Sequence, residues 1–194
     1  MQFQNDIRFM TAALEMAEAA LDCGEFPVGC VIADGHGIVA RGQRTGTAPD
    51  QSRLDQSRPG QSRSDQSGKT AWANETDHAE INTLKALSAA PPDADPAVLT
   101  LYCTLEPCLM CFAAILLSGI GRIVYAYEDV MGGGTGCDRT ALAPLYRDAR
   151  IAVVPGVMRK ESVLLFQRFF ADARNVYWKD SLISRYTLAQ KINA

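Results

Sequence analysis

Val98-Leu-Thr-Leu-Tyr-Cys-Thr-Leu-Glu-Pro-Cys-Leu-Met-Cys111 decides how this sequence folds. Val98 to Cys103 is a β-type run, and Pro107 suits the first position of a helix that the apolar pattern carries to Ser118. A strand feeding directly into a helix is the unit from which α/β domains are built. The same stretch contains Cys108 and Cys111, whose side chains face the same way at i and i+3 in the first helical turn. There the positive end of the helix favours thiolates. A redox Cys-x-x-Cys and a metal half-site both fit that placement.

Outward from this unit the chain alternates. Ile7, Met10, Leu14, Ala17 and Leu21 recur at helical spacing, so a first amphipathic helix is expected to end near Gly24. Phe26 to Ala33, the turn Asp34-Gly-His-Gly37 and Ile38 to Gly42 predict a hairpin over 27–43, with His36 on its exposed turn. A helix is expected over Asp77 to Leu87, strands at Arg122 to Tyr127 and Ile151 to Val154, and helices at Lys160–Ala173 and Ser181–Lys191. The pattern predicts a three-layer α/β/α domain with a mixed five-stranded sheet. We expect a first domain at 1–173 and a C-terminal helical extension at 174–194.

One segment departs from this texture. Asp50-Gln-Ser-Arg, Asp55-Gln-Ser-Arg, Gly60-Gln-Ser-Arg and Asp65-Gln-Ser-Gly repeat every five residues with little that is apolar between them. Such sequence buries too little surface to offset its ordering entropy. It predicts a surface insertion over 49–70, a simple loop expansion or a gate for a pocket.

The bulk numbers exclude several classes. With 47% hydrophobic and 21% charged residues the composition is that of a globular enzyme rather than a disordered chain. No apolar run approaches the ~20 residues of a membrane span, and Met1 to Asp6 lacks the basic start and apolar core of a signal peptide. A cytoplasmic protein with no membrane partner is expected, so the six cysteines read as thiols or metal ligands rather than a disulfide framework. Residues 1–156 carry 12 Lys and Arg against 19 Asp and Glu, whereas 157–194 carry 7 against 3. A mildly basic tail on an acidic body falls short of a strong nucleic-acid footprint.

His78-Ala-Glu80 gives the cysteine pair its meaning. At a helix mouth, His78 can join Cys108 and Cys111 on one metal, while Glu80 remains free to move protons. Asp77-His-Ala-Glu80 is also the spacing of a capping box, which would explain Glu80 and leave His78 without a role. Three ligands and a free carboxylate make a catalytic zinc site; a closed structural site would need a fourth ligand, for which Cys103 and Cys137 are available.

These residues carry a resemblance. Phe26-Pro-Val-Gly-Cys-Val, Asp77-His-Ala-Glu-Ile, Thr104-Leu-Glu-Pro-Cys-Leu-Met-Cys and Gly121-Arg-Ile-Val-Tyr-Ala stand in the order of the cytidine/deoxycytidylate deaminase superfamily. Within it the chain looks most like the tRNA-specific adenosine deaminases, over about residues 5–173. The resemblance implies a cytidine deaminase-like fold and hydrolysis of an exocyclic amine on a nucleobase. It implies Zn²⁺ on His78, Cys108 and Cys111, a metal-activated water as nucleophile, and Glu80 as proton carrier. Ala79 and the Glu106 carbonyl would lie along the substrate's amine edge, with Val28 against the base. The substrate would be a tRNA anticodon loop or, alternatively, a free base, nucleoside or nucleotide, and the enzyme a homodimer. A non-catalytic zinc-stabilised RNA- or protein-binding module is the reading from another class.

At one position the sequence leaves the family pattern. After the second strand such deaminases place an Asn that grips the base, and here Arg44 stands in its place. Arginine only donates hydrogen bonds, so it would read an acceptor or a phosphate, unless it is an ordinary exposed residue. Tyr177, Trp178 and Tyr186, interleaved with Arg174, Lys179 and Arg185, would either stack on an RNA loop or pack against the domain. Gly132-Gly-Gly-Thr-Gly136 lacks the Lys-Ser/Thr of a phosphate loop and is expected as a flexible loop at a pocket rim.

Overall fold

The computed structural model describes residues 2–48 and 75–192, so the five-residue repeats lie outside the described residues. Helix α1, Gln2–Asp22, precedes the hairpin of β1, Gly29–Ala33, and β2, Ile38–Gln43. Helix α2, Ala79–Ala89, leads to β3, Thr100–Leu105, α3, Leu109–Ser118, and β4, Arg122–Tyr127. A short α4, Pro144–Arg147, then β5, Ala152–Val154, α5, Arg159–Ala171, and α6, Leu182–Ala189, complete the order.

The sheet runs β2-β1-β3-β4-β5. Strand β1 is antiparallel to both β2 and β3, while β3, β4 and β5 are parallel. The expected mixed five-stranded sheet is therefore present. Alternation along the strands divides the core into two faces. Val31, Tyr102, Val124 and Ala126 pack with Phe9 and Met10 of α1, whereas Cys30, Ile32, Leu101, Cys103 and Ile123 pack with Phe112 and Ile115 of α3.

Two local differences from the sequence reading have physical causes. Strand β3 begins at Thr100 rather than Val98, because Pro96–Val98 forms a 3-10 turn capped by the Asp95 side chain. Helix α2 begins at Ala79 with His78, not Asp77, at its cap, and His78 makes no side-chain capping bond. Asp77 instead pairs with Lys85 at 3.2 Å, so the capping box does not form and Glu80 is left to the pocket. Gly42 lets α2 approach β2 closely, since a Cβ there would lie 2.5 Å from Thr83 Oγ1 and 2.9 Å from the Ala79 carbonyl oxygen.

This topology gathers one end of the sheet. The carboxyl ends of β2, β3 and β4 and the amino end of the antiparallel β1 all meet there. The starts of α2 and α3 point into the same region, which in open α/β sheets is where ligands bind.

Candidate active site

His78 caps α2 and Cys108 caps α3, so the two helices deliver their first residues to a common point. Cys108 Sγ lies 3.5 Å from His78 Nδ1, and Cys111 Sγ lies 3.4 Å from the same nitrogen. A tetrahedral zinc with bonds of about 2.3 Å to sulfur and about 2.0 Å to nitrogen spaces such ligand atoms about 3.5 Å apart. All three ligand atoms lie within 4.8 Å of one another, and the donor set suits zinc. Among the described residues Cys103 and Cys137 do not join this cluster. Cys103 is buried in β3, where burial and its neighbour Cys30 push its thiol well above the ordinary range.

Electrostatics prepare the cluster for a cation. The hydrogen bond from Cys111, with help from His78, draws Cys108 down to about 4 despite partial burial. Cys111 moves up, because it donates that bond and is buried. Burial works against protonated His78, yet its contact with Cys108 and the charge of Glu80 outweigh it and raise the imidazole pKa. A dication held among these three groups would favour thiolates and a neutral imidazole.

Glu80 is the second residue of α2, in its first turn, and is 3% exposed. Burial raises its carboxyl pKa, opposed by its own backbone N–H, the charge of His78 and a contact with Cys111. A carboxyl so placed beside a metal cluster can take up and give back a proton.

A cleft enclosing about 500 Å³, including its open mouth, runs over these groups. His78, Ala79, Glu80, Cys108, Val28, Arg44 and Glu106 all line it, and Cys111 lies buried just behind. The residues that the sequence proposes as metal ligands, proton carrier and substrate contacts are thus brought to one place. The Glu106 carboxylate has a further task, accepting from Thr135 Oγ1 at 2.5 Å and from the Asp129 N–H at 3.2 Å. It ties the glycine segment down, and Gly134 packs so closely that a Cβ there would lie 2.6 Å from Leu109 Cα. The segment is at the pocket rim as expected, but it is anchored by these contacts rather than loose.

Sequence reasoning did not place Phe26, Asp129, Tyr177 or Trp178 in the pocket. Asp129 follows the carboxyl end of β4, two residues past Tyr127, and that position was the one signal for it. Tyr177 and Trp178 reach the cleft by packing on Phe26, with ring centroids 5.5 and 6.2 Å away. Trp178 and Asp180 hold left-handed backbone, φ 52° and 61°, to make that turn. Tyr186 stacks on Tyr127 at 6.2 Å and donates to Glu128. Arg174 pairs with Asp172, and Arg185 donates to the Asp180 carbonyl. The tail aromatics are therefore packed on the domain.

Residues 3–127 match the family model described as the cytidine and deoxycytidylate deaminase zinc-binding region. The chain is 31% identical over 170 residues to a tRNA-specific adenosine deaminase of Haemophilus influenzae, covering 87% of this chain and 85% of that one. It is 26% identical over 166 residues to a tRNA-specific adenosine deaminase of Streptococcus pyogenes, covering 86% and 90%. A structure solved in studies of A-to-I editing by tRNA:A34 deaminases superposes with a TM-score of 0.58 at 30% identity, covering 81% of this chain and 98% of that one. A guanine deaminase from Nitrosomonas europaea shares the fold, with a TM-score of 0.59 at 18% identity over 84% of this chain and 83% of that one. Motif order, the His78, Cys108 and Cys111 cluster and these likenesses agree, and the chain belongs to the zinc-dependent cytidine and deoxycytidylate deaminase family.

Proposed function

We propose that this deaminase acts on adenosine in tRNA, converting adenosine and water to inosine and ammonia. What carries the reading is the juxtaposition of the His78, Cys108 and Cys111 cluster with the buried Glu80 in one cleft. The tRNA substrate is supported by the Haemophilus influenzae relative, whose length this chain spans to 85%.

In this reading His78 Nδ1 and the sulfurs of Cys108 and Cys111 hold the zinc. When bound, the metal lowers the pKa of a water to about 7 and so provides a nucleophile at neutral pH. Glu80 accepts a proton from the attacking water, delivers it to the ring nitrogen, and assists the amine as it leaves. The Ala79 N–H, one of the first-turn donors of α2 without an intrahelical partner, and the Glu106 carbonyl orient the amine edge. Val28 and Phe26 form an apolar wall for the base, and residues 174–194, assigned as an extension to a domain at 1–173, complete the pocket through Tyr177 and Trp178.

A second reading, deamination of a free base, nucleoside or nucleotide, is favoured by the packed tail, whose aromatics wall the pocket instead of forming an RNA platform. Mass spectrometry of an anticodon stem-loop RNA after incubation, beside ammonia release from adenine, guanine, cytosine and their nucleosides and nucleotides, separates the two. Inosine in the stem-loop is the expected result. Ammonia from a free base or nucleoside alone would support the second reading.

A homodimer belongs to the same proposal: the apolar groove between α2 and α3, with Leu84, Leu87 and the 56% exposed Leu117, offers a surface for a second copy. Sedimentation at micromolar concentration should give the dimer mass. No helix among the described residues is long and apolar enough to cross a membrane, and a cytoplasmic location is part of the proposal.

A further inference from the structure

Arg44 follows the last residue of β2, and its backbone N–H donates to the Val28 carbonyl at 2.8 Å. That bond turns the side chain inward, and the residue is 2% exposed. Nη2 donates to Glu75 Oε2 at 3.2 Å, the one ion pair it makes among the described residues. Nη1 is buried and has no partner among the described residues. Glu75 is half exposed and also accepts from the Tyr177 hydroxyl at 2.8 Å, so its charge is shared.

Leaving a buried donor of a charged group without a partner is unfavourable, and such groups are rare enough to require a reason. Packing supplies none, because an apolar side chain would fill the same space with no orphan. The reason is in the cleft: Arg44 lines it together with Glu80 and Trp178. A guanidinium presents donors and no acceptor. Whatever meets Nη1 must therefore accept, and a substrate amino group there would set donor against donor.

We propose that Arg44 is a specificity-determining residue whose Nη1 binds a hydrogen-bond acceptor on the edge of the substrate base away from the reacting amine. This rests on the deaminase reading of the same pocket. For adenine the acceptors outside the reacting amidine are N3 and N7, and Arg44 engages one of them. Its depth favours a base atom over a phosphate, which would remain at the hydrated mouth.

The test is equilibrium binding by titration calorimetry to the zinc-loaded Glu80→Gln protein, in which turnover does not interfere. The probes are adenine, 3-deazaadenine and 7-deazaadenine, each as the free base and within an anticodon stem-loop. One of the two deaza replacements should weaken binding by about 10- to 100-fold, the effect of losing a hydrogen bond to a charged group. With Arg44→Met added, that selective loss should vanish, and Arg44→Lys should restore part of it. Equal binding of all three bases, or a deaza penalty that persists in Arg44→Met, would overturn the proposal. So would competition by inorganic phosphate that depends on Arg44, which would make the residue a phosphate contact. Should Arg44→Met fail to fold, Arg44→Leu carries the same comparison, since it likewise offers no donor. If wild type releases no ammonia from any substrate, the function reading fails by itself, and these binding data still decide the role of Arg44.

Discussion

Two arginines, both largely withdrawn from solvent, show how differently the ends of this fold are built. Arg122 opens β4 and donates to both oxygens of Asp6 at 2.7 and 2.8 Å, and the Tyr102 hydroxyl adds a third bond to that carboxylate at 3.0 Å. This pair anchors α1 to the sheet. Among the described residues, Arg44 makes one ion pair, at 3.2 Å to a half-exposed carboxylate, and keeps a buried donor in reserve. The closed pair serves stability, and the open one stands in the pocket with Glu80 and the thiols. Among the described residues the buried side-chain donor without a partner belongs to the arginine of the pocket, not to that of the scaffold.

The largest effect expected on the open side follows Glu80→Gln. Replacing the proposed proton carrier should lower kcat by about 100- to 10,000-fold. Melting temperature should stay level or rise, because a buried carboxyl with a raised pKa is removed. A large loss of stability instead would place Glu80 among the closed, structural groups.

Zinc removal comes next. Chelation should lower unfolding stability by about 4 kcal/mol if the metal is normally present near a thousand times its dissociation constant. Urea titration with and without the chelator reads this, and Cys111→Ala should be insensitive to the treatment.

On the closed side, Asp6→Ala leaves Arg122 uncompensated and should cost about 3 kcal/mol in urea unfolding, with activity per folded molecule unchanged. The pair also predicts an acid limb. Burial pushes the Asp6 carboxyl up, but bonds from Arg122 and Tyr102 outweigh it and hold its pKa below 3.8. Its stabilisation is therefore fully present above pH 3.8 and is lost as pH falls through the lowered folded value. Stability measured from pH 5 down to pH 2 should fall less steeply in Asp6→Asn than in wild type.

The smallest effect should follow Glu75→Gln. An ion pair with one half-exposed partner is worth about 1 kcal/mol or less, so unfolding should change by no more than that. A loss above about 2 kcal/mol would make Arg44–Glu75 a structural pair like Asp6–Arg122 and erase the contrast.

Much of this division was legible in the sequence because local chemistry announced it. Alternating apolar residues set the strand faces, and Arg122 to Tyr127 forms a strand over the expected range. Pro107, Cys108 and Cys111 marked a helix start with paired thiols, and His78 and Glu80 marked the second one. What the sequence could not display was closure through space. Tyr177 and Trp178 lie about a hundred residues from His78, and their arrival in the cleft depends on Phe26 and on the left-handed turn at Trp178. Asp6 and Arg122 are 116 residues apart, and neither carries a local signal for the other. Asp77 read as a cap because capping spacing is a local pattern. The helix start moved to His78 and Ala79, where α2 meets β2 at Gly42 and His78 meets the thiols.

In the proposed function Glu80 is the proton carrier of an open, zinc-binding pocket. The most direct measurement is the initial rate of ammonia release by wild type and Glu80→Gln at matched zinc content, on whichever nucleobase substrate wild type turns over. A loss of at least about 100-fold is expected in the variant with zinc still bound. A variant that keeps the wild-type rate would contradict this role for Glu80.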